Sequence, residues 1–162
     1  MPEKKKGIDI ILHPIQLISL NVIELYIKVN QSPEPSDLNL EEKDFSLRTG
    51  RSDYDKENHI IQVGVRLEIG EEDDQKSPFI LKVILGGVFK VDETKFSKEH
   101  IDDWAKRNAP IILYPYLREQ AFALTARCGF PGIILPLLEV PTFKIGTPIK
   151  KAIQAKTAKP KS

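Results

Sequence analysis

The side chains that most often do chemistry are sparse in this sequence. It has three histidines, His13, His59 and His100, and one cysteine, Cys128. Zinc ligands come in closely spaced pairs, and these histidines are scattered, so they read as surface or turn residues. Cys128 has no neighbouring histidine to activate it. It also falls where a helix should end, and the negative end of a helix dipole raises a thiol pKa. It therefore reads as a small apolar residue. The run Glu71-Glu72-Asp73-Asp74 lacks the alternation and the glycine of a calcium loop and reads as a solvated turn. Gly86-Gly87 lacks the longer glycine pattern and following helix of a phosphate loop. Arg48, Arg51 and Arg66 are not interleaved with aromatics, so no RNA-stacking platform is visible. There is no G-x-S-x-G nucleophile motif. The residues offer no reaction centre, metal site or cofactor site, and a binding protein is favoured over an enzyme.

What remains is the scaffold. At 162 residues, 41% hydrophobic and 29% charged, the chain suits one folded domain rather than a disordered or fibrous protein. The net charge of +1 hides an uneven distribution: +2 over residues 1–6, −6 over 7–146 and +5 over the Lys-rich 147–162. The expected organisation is a domain over 1–146 and a basic, partly disordered tail over 147–162. A single cysteine excludes an internal disulfide. Asp9, His13, Pro14 and Gln16 break the apolar N-terminal run, which argues against a signal peptide. No window reaches the roughly 18 apolar residues of a membrane span. The expectation is a soluble cytoplasmic protein.

Four strand-like runs come first. Over Ile15–Val29 apolar residues alternate, but the phase slips between Val22 and Ile23, the signature of a β-bulge. A Pro-rich connection follows, with Leu38 and Leu40 isolated in it. A second strand is predicted over Asp44–Tyr54. A third, Ile61–Ile69, alternates cleanly and needs one wet face. A fourth covers Phe79–Val91, where Gly86-Gly87 marks a bulge or a close backbone approach. With no helix between them, the strands make an antiparallel meander or Greek-key sheet.

A short helical turn is predicted around His100–Lys106, and then one long helix. Asn108 is its candidate N-cap, Pro110 suits the first turn, and Gly129 and Pro131 end it. Its apolar residues lie on nearly every side: Leu113, Leu117 and Leu124 on one stripe, Ile112, Tyr116 and Ala123 on a second, Phe122 and Ala126 on a third. One sheet covers one side, so the rest calls for a second copy. The predicted interface is Leu113, Tyr116, Leu117, Gln120, Ala123 and Leu124. Beyond the helix, residues 133–143 (IILPLLEVPTF) are unusually apolar for a connection. They read either as ordinary core or as the greasy rim of a binding groove.

Gly86-Gly87-Val88-Phe89, then residues 109–119 (APIILYPYLRE), then Arg127–Pro131 and Leu135-Pro136 resemble, in order and spacing, the SecB export chaperones. The resemblance covers roughly residues 15–145. It implies an α+β fold: a four-stranded antiparallel sheet, a long helix and a short, irregular C-terminal helix. It further implies a homotetramer, a dimer of dimers, that holds unfolded polypeptides without ATP. The client-binding residues it points to are Leu38, Leu40, Phe45, Leu47, Ile134, Leu135, Leu137, Leu138 and Phe143. Clients are either export precursors passed to the SecA motor or, as in a SecB-like branch, a dedicated antitoxin. Lys28 and Lys82 stand where export members tend to carry acids, and the tail is basic, which suits the antitoxin branch and ranks that role close to export. The competing reading is a nucleic-acid or membrane-surface module acting through the tail. No Arg or aromatic accompanies its lysines, so a solubilising role for the tail is preferred and no nucleic-acid partner is expected.

Overall fold

The computed structural model describes residues 9–33, 45–73 and 75–140. Strands β1 (Ile15–Val29), β2 (Phe45–Arg51), β3 (Ile60–Ile69) and β4 (Phe79–Val91) are followed by helices α1 (Ile101–Arg107) and α2 (Ala109–Arg127). The sheet is wholly antiparallel with order β1-β4-β3-β2. β2, β3 and β4 form a meander, and β1 returns beside β4, so β1 and β2 are the edges. This is the expected α+β architecture. The expected C-terminal helix lies outside the described residues.

Strand alternation sets the two faces. On the helix-covered face Ile61, Val63, Val65, Leu67 and Ile69 of β3 are buried, as are Phe79, Leu81, Val83, Leu85 and Phe89 of β4. β1 shifts register against β4 twice. The shift between Val22 and Glu24 is the predicted phase slip, with Ile23 as the extra residue. A second shift, between Leu17 and Ser19, was not anticipated, because apolar residues stand on both of its sides.

The glycine pair of β4 resolves as close approach. The β3–β4 register runs through it unbroken. A Cβ on Gly87 would sit 2.7 Å from Leu113 Cδ2 and 3.1 Å from Leu17 Cδ1, so the Leu113 side chain of α2 fills the space a larger residue would need. Leu113, Leu117 and Ala121 of α2 are fully buried, and Trp104 of α1 packs edge-on against Phe89, with ring centroids 5.2 Å apart.

Three boundaries differ from expectation. β2 ends at Arg51 rather than Tyr54, because the Asp55 carboxylate accepts the amide N–H groups of Glu57 and Asn58 and forces a turn. β3 begins one residue early, at Ile60. Asn108 is not a side-chain cap: its φ/ψ of −99°/−42° is helical, and its amide donates to Trp104 O at 2.8 Å. α1 thus runs almost directly into α2, and the Asn108 side-chain oxygen is buried without a hydrogen-bond partner.

Candidate functional site

The apolar segment after α2 is held by named contacts. Gly129, at φ +86°, takes the left-handed position that ends the helix. Its amide donates to Ala126 O and the Phe130 amide donates to Thr125 O, the paired bonds of a Schellman motif. Phe130 is buried against Phe79, ring centroids 5.1 Å apart. Two side chains of α2 then fix the chain that follows. The buried Thr125 hydroxyl donates to Ala121 O at 2.9 Å and accepts the Ile133 amide at 3.1 Å. The Tyr114 hydroxyl donates to Pro136 O at 2.6 Å, and burial pushes its pKa up.

Pinned at both points, the segment alternates. Ile133 and Leu135 are buried, whereas Ile134 is 74% exposed. Further along, Leu137 is 82% and Val140 63% exposed, while Leu138 is half-buried against the core. Pro136 supplies an acceptor but no donor, and proline at 131 and 136 disfavours helix. The outcome is a non-helical ribbon with Ile133 and Leu135 in the core and Ile134, Leu137 and Val140 in solvent, the in–out alternation breaking at Pro136. Large apolar groups facing water from a fixed backbone offer a partner burial at little ordering cost.

The sequence-predicted site residues divide accordingly. Ile134 and Leu137 are presented outward. Leu135 lies at 1% exposure inside the chain's own core, so it supports the ribbon rather than facing a ligand. Phe45, Leu47 and Leu138 are half-buried and pack against that same core. Leu38, Leu40 and Phe143 lie outside the described residues. Pro33, at the end of β1, sits against Gly129, where a Cβ would be 3.3 Å from its Cγ. The β1–β2 connection therefore leaves from beside the start of the ribbon. Tyr114, Thr125 and Val140 were not singled out from sequence; the first two act only through partners 22 and 8 residues away.

The predicted oligomer surface needs a correction. Leu113 and Leu117 face the sheet and are fully buried within the chain. They lie on the stripe that any single chain must cover first, and the all-round apolar pattern of α2 hid that. Gln120, Ala123 and Leu124 are half-buried on its flanks. The solvent side carries Tyr116 together with Ile112 and Phe122, which had not been included. β1 adds exposed Val22, Leu25 and Val29 on its helix-facing side, and among the described residues no strand pairs with its outer edge.

At the opposite end of the sheet a polar node fixes the corner between β4 and α1. Glu93 accepts from Tyr54 Oη at 2.7 Å and Lys98 Nζ at 2.8 Å, and lies 3.1 Å from His59 Nδ1. Lys98 first, and then Tyr54, hold the Glu93 carboxyl down to about 2, while burial and that same bond push Tyr54 up to about 12. The node lies beside no nucleophile, and its groups are consumed by one another. Among the described residues there is no cluster of three metal-ligating side chains, and no helix is long and apolar enough to cross a membrane.

Comparisons with known proteins bear on the family and the fold. A family model described as preprotein translocase subunit SecB matches residues 15–141. An uncharacterized protein of Methanocaldococcus jannaschii is 32% identical over 107 residues, 61% of this chain and 67% of that protein. The protein-export protein SecB of Methylobacillus flagellatus is 25% identical over 114 residues, 70% of this chain and 71% of the relative. Among solved structures, the Rv1957 SecB-like chaperone of Mycobacterium tuberculosis, in complex with a ChAD peptide from the HigA1 antitoxin, superposes with a TM-score of 0.55 at 18% identity, covering 80% of this chain and 94% of that one. At that identity the likeness establishes the fold.

Proposed function

The chain belongs to the SecB family, whose members are chaperones and not enzymes, and from that premise we propose that it is an ATP-independent holdase. It keeps unfolded or aggregation-prone polypeptides soluble by covering their apolar segments. The observation that carries this is the ribbon: Ile134, Leu137 and Val140 exposed on a backbone locked by Thr125 and Tyr114. Apolar burial is non-directional, so such a surface accepts many sequences. Phe45, Leu47 and Leu138 provide adjoining half-buried area, and Leu38, Leu40 and Phe143, which lie outside the described residues, are assigned the same role on the family resemblance alone.

The finer role we assign is a dedicated antitoxin client. The fold neighbour was solved with an antitoxin peptide, and Lys28 and Lys82 occupy the uncovered sheet face where an export chaperone would present acids to SecA. Delivery of export precursors to SecA is the alternative. Self-association into a dimer of dimers is part of the proposal. Ile112, Tyr116 and Phe122 of α2 and Val22, Leu25 and Val29 of β1 leave two apolar surfaces for second copies to cover.

Light scattering tests the reading. Near one tetramer per client and without nucleotide, the protein should suppress aggregation of a chemically unfolded client. Failure to protect any unfolded client would overturn it. Co-expression with a candidate antitoxin against an export precursor separates the two client classes by which one becomes soluble only in the presence of this chain.

A further inference from the structure

The face of the sheet that no helix covers among the described residues is basic although the body of the chain is acidic. Lys28, Arg48, Arg66, Lys82 and Lys90 project from it, since each alternates along its strand with inward-facing neighbours and pairs across strands with residues of this same face. Its two carboxylates are already engaged, Glu24 by Lys82 at 3.6 Å and Glu68 by Arg66. Lys28, Arg48 and Lys90 are exposed; none of them forms an ion pair within 4 Å among the described residues, although the charge of Arg48 contributes to lowering the Glu68 carboxyl pKa.

Arg48 stands directly opposite Arg66 on the neighbouring strand. Like charges at directly opposed positions destabilise a strand pair. Arg48 makes no hydrogen bond among the described residues, whereas Arg66 donates through Nη2 to Glu68 and its Nε is buried, so the half-exposed remainder of the Arg66 guanidinium and all of Arg48 are what face a ligand. Two guanidinium groups so placed can clamp a carboxylate through several charge-assisted bonds. Beside them, Gly50 and Gly64 are the next cross-strand pair on the same face. A Cβ on Gly50 would meet nothing within 4 Å, and one on Gly64 only a backbone oxygen at 3.8 Å. Same-face rows lie about 7 Å apart, so over β2 and β3 the bare row leaves about 14 Å between the side chains flanking it, and it ends at Gly86 of β4, against which the Ile23 side chain lies.

We propose that this face docks an extended, acidic polypeptide segment, with Arg48 and Arg66 holding its carboxylates beside the Gly50–Gly64 strip. A peptide is favoured over nucleic acid because the strand pattern places only one aromatic, Tyr26, on this face, and that ring lies against Lys82, 6.0 Å from its ammonium nitrogen. Single-stranded nucleic acid needs several rings on which successive bases stack. The site is separate from the ribbon and does not rest on its assignment.

The test is fluorescence anisotropy with the full chain and a labelled twelve-residue peptide of alternating Glu and Ser, at low and moderate salt. The expected result is binding that salt weakens. It should also weaken roughly tenfold in the triple variant Lys28→Ser/Arg48→Ser/Lys90→Ser. Suppression of client aggregation should be unchanged in that variant, and its melting temperature should stay close to that of the wild type, because all three side chains are exposed and the loss of the Arg48–Arg66 repulsion offsets the loss of the Arg48–Glu68 attraction. Equal affinity in the wild type and the triple variant would place peptide binding on the Lys-rich termini and overturn the proposal. Tighter binding of an oligothymidylate of equal charge, dependent on the same three side chains, would overturn it in favour of nucleic acid.

Discussion

Replacing Ile134 and Leu137 together by serine separates a binding ribbon from ordinary core. Full burial of an Ile or Leu side chain contributes about 1.5–3 kcal/mol. These two are 74% and 82% exposed in the free chain, so most of that stabilisation is still available to a client. The two together then offer about 2–4 kcal/mol. Ordering the client side chains that meet them costs about 0.5–1.5 kcal/mol each. The net loss in the double variant is about tenfold to hundredfold in client affinity. Because neither side chain is in the core, the melting temperature should stay within about 2 °C of the wild type. The matching control is Leu135→Ala. At 1% exposure it should cost about 2–5 kcal/mol of stability. Client affinity is read by anisotropy of a labelled unfolded peptide, and stability by thermal unfolding followed by circular dichroism. Undiminished client binding in the stable double variant would refute the assignment. A melting temperature that falls as far as that of Leu135→Ala would show that the ribbon is core.

Other expectations follow from individual contacts. Thr125→Val keeps the shape of the side chain but leaves the buried Ile133 amide without its acceptor, which costs about 1–3 kcal/mol; thermal unfolding should show that loss, together with weaker client binding as the ribbon loosens. Glu93 has a folded-state value near 2 against an ordinary 4.5, so its stabilisation is complete above about pH 4.5 and is lost as the pH falls toward 2. Asp102, held near 2 by Arg51 and then Lys106, adds in the same window. In an acid titration followed by circular dichroism, Glu93→Gln should therefore be less stable at pH 7 and show a shallower loss between pH 4.5 and 2. Ile112→Ser combined with Tyr116→Ser removes exposed apolar groups from α2 without touching its buried stripe; native mass spectrometry should show smaller assemblies while each chain stays folded.

Much of the fold was legible because it rests on local rules. Strand alternation in β3 needs only a period of two, and the end of α2 at Gly129 needs only a left-handed residue followed by proline. The bulge at Ile23 was visible as a phase slip between polar markers, whereas the one at Ile18 was not. The candidate site was legible only in part. Ile133 and Leu135 point inward and Ile134 outward because Thr125 and Tyr114 grip the backbone, the alternation ends at Pro136 so that Leu137 is exposed and Leu138 half-buried, and neither partnership can be inferred from spacing. The same pattern therefore admitted both core and rim, and the structure divides it between them, Leu135 inward and Ile134 and Leu137 outward. Likewise, a helix apolar all round does not declare which stripe its own sheet claims, which is why Leu113 and Leu117 were expected at an interface. The opposition of Arg48 to Arg66 depends on the β2–β3 register, which the polar turn between the strands leaves open.

The account's central claim is that unfolded clients lie along residues 134–140. Site-specific photo-crosslinking examines this directly. A photoreactive phenylalanine analogue is placed at Leu137, or for comparison at the exposed turn residue Glu57, and irradiated with a labelled unfolded client. The account predicts a crosslinked client from position 137, competed away by unlabelled client, and none from position 57. Equal crosslinking from both positions, or none from 137 while the protein still suppresses aggregation, would contradict it.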